Sequence, residues 1–118
     1  MTKISVVILA GTEAHSDLAR VLNGLALARE AKEAGDDVEI VFDGAGVAWI
    51  PELNDPAHKL HGAFREVHDR VAGACEFCAA AFEVKEPVRD AGVPFLSEFQ
   101  GHPSLRERVA QGYEVVTF

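Results

Sequence analysis

The sequence has little sulfur and no long apolar run. Its 118 residues include two cysteines and one methionine, and no hydrophobic segment approaches the roughly 20 residues that a membrane-spanning helix requires. The first apolar segment, ISVVILAG, lacks the charged, apolar and cleavage regions of a signal peptide. We therefore expect a cytoplasmic protein without a membrane span, in a compartment where thiols stay reduced.

Basic residues are also scarce. Lys and Arg number 11 against 19 Asp and Glu, for a net charge of −8, and an acidic surface repels phosphate backbones. The loop AGTEAHSD has one glycine and no lysine, so it is neither a P-loop nor a dinucleotide fingerprint. We expect no nucleic-acid partner and no bound cofactor, since only fold analogy would suggest a flavin.

Strand and helix patterns alternate along the chain. A length of 118 residues fits one domain, residues 1–118, with a substantial core. Short connections between alternating elements favour parallel strands with helices on both faces. We predict a three-layer α/β/α domain on a mostly parallel five-stranded sheet. The predicted strands cover 4–10, 38–42, 71–74, 93–96 and 113–118, and the longer predicted helices end at about Ala34 and Arg70.

The segment GVAWIPEL carries an apolar cluster of Trp49, Ile50 and Leu53 with few helix signals. In a small domain such a cluster either fills the core or meets a neighbouring subunit. We predict a subunit interface here.

Both cysteines follow the third predicted strand. Cys75 comes directly after it, and Cys78 lies in the first turn of the next predicted helix. Sites in parallel sheets gather at the carboxyl ends of strands, and backbone N–H groups at a helix start lower a thiol pKa. Nearby carboxylates such as Glu76 oppose that effect. The alternative is structural, because cysteine is often a small, buried core residue.

Histidines are the other candidate site residues. His58 and His61 are spaced for one helix face and His68 lies two turns further, so with the cysteines they could form a mixed metal site. Their spacing matches no zinc signature, and we predict no metal. His15 and His102 follow the first and fourth strands, so either could face the cysteines, although both are simply explained as loop and helix-start residues.

Several stretches resemble the DsrE/DsrF-like family of sulfur-relay proteins. They are VVILAGTEAHSDLARVLNGLALAREAKEAG, DVEIVFDGAGV, ACEFCAAAF and GVPFLSEFQGHPSLRERVAQGYEVVTF. The resemblance implies a flavodoxin-like α/β fold, a trimer or hexamer, and a persulfide on a strand-end cysteine. Cys75 matches that cysteine, and Cys78 matches a second one that only some members have. Glu83 stands where many members have glycine.

These observations favour a sulfur-relay protein that exchanges sulfane sulfur with donor and acceptor proteins. Cys75 is the expected carrier and Cys78 a resolving thiol, although the sequence leaves open which of the two carries the sulfur. Two alternatives remain: an oligomeric binding module with structural cysteines, and a CxxC thiol–disulfide redox protein.

Overall fold

The structure is a computed structural model that describes residues 2–118. Its five strands form one sheet in the order β4-β3-β2-β1-β5, and every neighbouring pair is parallel. The predicted parallel five-stranded α/β sheet is therefore confirmed. The strands are β1 (Lys3–Ile8), β2 (Asp37–Phe42), β3 (Val71–Cys75), β4 (Phe95–Leu96) and β5 (Glu114–Thr117).

Six helices connect the strands: α1 (His15–Glu33), α2 (Trp49–Asn54), α3 (His61–Val67), α4 (Glu76–Ala81), α5 (Lys85–Asp90) and α6 (Leu105–Ala110). The chain steps in one direction from β1 to β4, and right-handed crossovers then place α1 to α5 on one face. It returns past β1 to reach β5, which places α6 on the other face. Within residues 2–118, no helix has both the length and the apolar character needed to cross a membrane.

The two faces of the sheet differ in polarity. Val6 and Ile8 of β1 and Phe42 of β2 belong to the main core, where they pack with apolar residues of the helices. Because neighbouring strand residues point to opposite faces, Ser5 and Glu39 lie on the α6 side. There the Ser5 hydroxyl donates to the Glu39 carboxylate at 2.5 Å.

The segment after β2 fills the core of the chain itself. Trp49 is buried, as are Ile50 and Leu53, and the indole N–H of Trp49 donates to the Gly11 carbonyl at 2.8 Å. A subunit interface made from these side chains is therefore wrong. The preceding 3₁₀ turn packs so closely that a Cβ on Gly46 would lie 1.9 Å from the Ile8 carbonyl oxygen.

The helix predicted to reach Arg70 is shorter than expected. The Asp55 carboxylate accepts from the Ala57 N–H at 2.9 Å, and the Asp55 carbonyl accepts from the His58 N–H. Side-chain bonds of this kind stabilise turns in competition with helix. As a result α3 begins only at His61, and a 3₁₀ turn follows it.

Candidate functional site

Four polar side chains converge at the carboxyl ends of neighbouring strands. Asp43 follows β2, Cys75 ends β3, Cys78 lies in the first turn of α4, and His102 lies in the loop after β4. One ligand atom from each lies within 4.8 Å of the other three. The topology thus brings together residues that are up to 59 positions apart in the sequence.

The two sulfur atoms are in direct contact. Both cysteines are free thiols, and their Sγ atoms are 2.7 Å apart. Cys75 is the N-cap of α4, where its sulfur accepts from the Cys78 backbone N–H at 3.2 Å. The strand therefore passes directly into the helix, and the CxxC spacing folds one thiol back onto the other.

An imidazole and a carboxylate flank the sulfur pair. His102 Nδ1 lies 3.4 Å from Cys75 Sγ and 4.0 Å from Cys78 Sγ. The Cys78 thiol lies 3.6 Å from Asp43 Oδ1, which also accepts from the Gly44 N–H at 2.8 Å. His102 Nδ1 can thus exchange a hydrogen bond and a proton with either sulfur.

A tight hairpin holds His102 over the cysteines. Phe99 and His102 pair through two backbone hydrogen bonds of 2.9 Å. Gln100 and Gly101 make the turn with φ values of 50° and 85°, the positive values that a type I′ turn requires. The Gly101 carbonyl then accepts from the Phe77 N–H, which joins the hairpin to the start of α4.

A buried arginine fixes the base of this loop. Arg108 of α6 donates to Glu39 Oε2 at 2.9 Å and to Glu98 Oε1 at 2.5 Å. Glu98 in turn accepts from the Ser104 N–H at 2.8 Å. The loop that carries His102 is therefore tied to β2 as well as to α4.

The sulfur pair is buried in the core. Cys75 is 0% exposed and Cys78 is 8% exposed. Burial, together with the neighbouring Cys78 thiol, raises the pKa of Cys75 to about 12, even though the helix-start N–H acts in the opposite direction. Of the two opposing effects that the sequence suggested, the helix-start effect that lowers a thiol pKa is therefore outweighed at Cys75. A groove of about 440 Å³ adjoins the site, with Asp43, Phe99 and His102 in its lining.

The other predicted histidines lie away from the cysteines. His61 Nδ1 is 2.8 Å from the Leu53 carbonyl oxygen, and His58 Nδ1 accepts from the Leu60 N–H. His68 contacts the Ala91 carbonyl, and His15 lines a surface depression with His58. The structure therefore does not bring these histidines to the cysteines, and His102 is the histidine that reaches them.

Asp43 was not among the predicted site residues. Asp43-Gly44 follows a strand, where Asp-Gly is typical of a turn, so the carboxylate was interpreted as a turn residue and not as part of a site. Its position at the end of β2, beside the end of β3, was the signal that could have identified it.

Glu83 occupies a glycine-type position. Its φ is 58°, and it lies just after the end of α4. There the Glu83 N–H donates to the Ala80 carbonyl, and the Val84 N–H donates to the Ala79 carbonyl. This is a Schellman motif, in which the left-handed residue is usually glycine. This left-handed conformation explains why many members of the family that the sequence resembles have glycine at this position.

Comparison with known proteins agrees with this architecture. The chain is 33% identical over 96 residues to the uncharacterized protein MJ0733 of Methanocaldococcus jannaschii, covering 81% of this chain and 78% of that protein. Two solved structures share the fold. The BT1422 protein of Bacteroides thetaiotaomicron has a TM-score of 0.64 at 18% identity, over 97% of this chain and 94% of that one. The YchN protein of E. coli has a TM-score of 0.62 at 17% identity, over 100% of both chains.

The model of the DsrE/DsrF-like family matches residues 5–118. That span includes all five strands and the four converging side chains, apart from the first two residues of β1. The chain therefore belongs to the DsrE/DsrF-like family, a family of the sulfur-relay type.

Proposed function

We propose that this protein relays sulfane sulfur as a cysteine persulfide formed at the Cys75–Cys78 pair. The observation that carries the proposal is the convergence of two free thiols, an imidazole and a carboxylate at the strand ends. A purely structural cysteine needs no polar neighbours, because even half-burying an imidazole or a carboxylate, as at His102 and Asp43, costs free energy that an apolar side chain avoids. Membership of the family supports the same chemistry.

Burial decides the roles that we assign to the two thiols. Cys78 retains some exposure and Cys75 has none, so Cys78 is the better receiver of sulfur, and this reverses the assignment that the sequence favoured. The Cys78 thiolate attacks the outer sulfur of a donor persulfide, which forms Cys78–S–SH and releases the donor thiolate. An acceptor thiolate then attacks the outer sulfur of Cys78–S–SH, which regenerates the Cys78 thiolate.

Cys75 offers a second fate for the bound sulfur. Its Sγ lies 2.7 Å from the Cys78 sulfur, which becomes the inner sulfur of the persulfide. Attack by the Cys75 thiolate forms a Cys75–Cys78 disulfide and expels hydrosulfide. The sulfane sulfur is reduced to sulfide and the two thiols are oxidised, so a thiol reductant must then restore the pair. The same short distance favours the alternative of a CxxC thiol–disulfide protein.

Aromatic side chains around the site suit the docking of a partner protein. Phe77 is 58% exposed and Phe99 is 62% exposed, and the Phe77 ring packs on His102 with centroids 4.8 Å apart. Exposed aromatic residues are typical of protein interfaces. We assign this rim to the sulfur donor and acceptor proteins, and we propose a homo-oligomer, a trimer or hexamer, which light scattering would measure directly.

The test is persulfide loading followed by intact-mass measurement and peptide mapping. Wild-type protein, Cys75→Ser and Cys78→Ser are each incubated with a small persulfide donor after removal of metals. Cys75→Ser should keep one added sulfur on Cys78, because no resolving thiol remains. Wild-type protein should also gain one sulfur on Cys78 first, and without an acceptor thiol it should then release sulfide and accumulate the Cys75–Cys78 disulfide.

Each remaining outcome rejects a stated part of the proposal. Loading of Cys78→Ser at the wild-type rate would reject Cys78 as the receiving thiol. Absence of added sulfur in all three proteins would reject the relay itself. Alkylation of native protein separates the structural alternative, since cysteines that react only after denaturation are core residues rather than carriers.

A further inference from the structure

We propose that Asp43, Cys75, Cys78 and His102 form a four-ligand binding site for a divalent transition-metal ion of the Zn²⁺ type. The four ligand atoms already lie within 4.8 Å of one another. They come from the ends of β2 and β3, from α4 and from the hairpin, so each is positioned by a different part of the fold. The inference shares the two cysteines with the proposed relay but does not depend on it.

The interatomic distances fit tetrahedral coordination at three of the measured contacts. With Zn–S near 2.3 Å and Zn–N or Zn–O near 2.1 Å, a tetrahedral ion separates a sulfur from a nitrogen or oxygen ligand by about 3.6 Å. In the structure, the distance from His102 Nδ1 is 3.4 Å to Cys75 Sγ and 4.0 Å to Cys78 Sγ. The distance from Asp43 Oδ1 to Cys78 Sγ is 3.6 Å.

The sulfur–sulfur distance is the one that must change. Two thiolates on a tetrahedral Zn²⁺ lie about 3.8 Å apart, whereas these thiols are 2.7 Å apart. The two sulfurs must therefore separate by about 1.1 Å on binding (3.8 minus 2.7 Å), and Cys78, the more exposed of the two cysteines, is the one that we expect to move.

The donor set selects the class of metal. Thiolate and imidazole ligands suit Zn²⁺ and related ions, and they exclude Mg²⁺ and Ca²⁺, which require oxygen ligands. Four protein ligands complete the coordination of Zn²⁺, so the site would hold the ion without an open position for a substrate.

Hydrogen bonds already orient two of the ligands. The Gly44 N–H donates to Asp43 Oδ1 at 2.8 Å, and the Cys78 N–H donates to Cys75 Sγ at 3.2 Å. Such outer contacts fix ligand geometry in metal sites. A bound ion would also engage both thiolates, and it would therefore block persulfide formation while it stays in place.

The test is titration of reduced, metal-free protein with Co²⁺ and then with Zn²⁺. Tetrahedral Co²⁺ bound by two thiolates gives sulfur-to-metal charge-transfer bands and intense visible ligand-field bands, and Zn²⁺ should abolish both by displacement. We expect one ion per chain. His102→Gln and Asp43→Asn should each weaken Zn²⁺ binding roughly 100-fold, measured by competition with a chelator. The exposed His15→Gln is the matched control and should bind like wild type.

Several results would overturn the inference. Co²⁺ spectra without the tetrahedral signature would do so, as would unchanged Zn²⁺ affinity in both His102→Gln and Asp43→Asn. Circular dichroism of each metal-free variant checks that the variant is folded. Because His102→Gln and Asp43→Asn keep both cysteines, persulfide loading can be measured in the same variants. Persulfide loading with no metal binding rejects only the metal site, and metal binding with no loading rejects only the relay.

Discussion

Arg108 joins the loop that carries His102 to the middle of the sheet. Its side chain is 8% exposed, and its Nε donates to Glu39 Oε2 at 2.9 Å. Its Nη1 donates to Glu98 Oε1 and to the Ser104 carbonyl. Replacing Arg108 with Met keeps most of the apolar stem and removes the charge and all of these hydrogen bonds. The substitution leaves the Glu39 carboxylate with the Ser5 hydroxyl as its remaining side-chain donor.

The expected loss of stability follows from burial. Removing one partner of a buried ion pair costs about 3–5 kcal/mol, because the other charge remains desolvated. The Glu98 carboxylate is 43% exposed, so its share is screened and amounts to less than about 1 kcal/mol. We therefore expect Arg108→Met to lower the free energy of unfolding by about 3 kcal/mol, mostly through Glu39. The midpoint temperature should fall by roughly 10 °C.

Urea unfolding followed by circular dichroism measures this loss. The double variant Arg108→Met with Glu39→Gln should be more stable than Arg108→Met alone, because it removes the unpaired charge while keeping an acceptor for Ser5. Arg106→Met, an exposed arginine of the same helix, is the control and should change stability by less than about 0.5 kcal/mol. A loss below about 1 kcal/mol in Arg108→Met, or a double variant no more stable than it, would refute the reasoning.

Three further predictions concern the backbone and pH. Glu83→Gly should raise stability by about 1 kcal/mol in urea unfolding, because glycine adopts its φ of 58° without strain, whereas Glu83→Ala should bring no such gain. Gly46→Ala should cost more than about 3 kcal/mol, since the new Cβ would meet a backbone oxygen, and Gly62→Ala, which has open space, should cost nothing. Burial opposes ionisation of Glu98, but hydrogen bonds from the Ser104 N–H and Arg108 outweigh it and lower the pKa of that carboxyl. The ionised Glu98 carboxylate therefore stabilises the folded protein above pH 4.5, the ordinary pKa, and this stabilisation is lost as the pH falls through the lower pKa of the folded state. The free energy of unfolding of Glu98→Gln, measured against pH, should lack this acid-dependent loss. A pH dependence equal to that of the wild type would contradict the prediction.

The sheet was predictable because each strand has a local signal. Apolar, β-branched runs mark β1 and β2, and Gly35, with a φ of 80°, follows the end of the helix between them. The same local signals placed Cys75 directly after the third strand and Cys78 in the first turn of the next helix. The structure has Cys75 as the last residue of β3 and Cys78 in the first turn of α4.

Burial of the cysteines could not be predicted, because it depends on contacts between distant segments. The hairpin that covers them is held by Arg108 and Glu39, which are 69 residues apart. Neither residue has a sequence pattern that indicates the other. The same limit applies to Trp49, whose burial depends on the close approach of Gly46 to β1.

The backbone around the site is unusual in one further respect. Within residues 2–118, Glu83 and Gln100 are the residues other than glycine with a positive φ. One ends the helix that begins at the sulfur pair, and the other shapes the hairpin above it. Such conformations cost roughly 1–3 kcal/mol each and are kept where the surrounding structure requires them. Both segments that enclose the cysteines therefore hold geometry that local preferences alone would not select.

Burial of Cys75 is compatible with sulfur chemistry once its partner is considered. A carrier thiol must meet a second protein and needs a path to solvent, which Cys78 at the edge of the core retains. A resolving thiol must reach only the neighbouring sulfur, and Cys75 lies 2.7 Å from it. Burial keeps other proteins away from Cys75, so the sulfur of Cys78 is the one that it can reach. A metal ligand has the same requirement, since it must face the ion and not the surroundings.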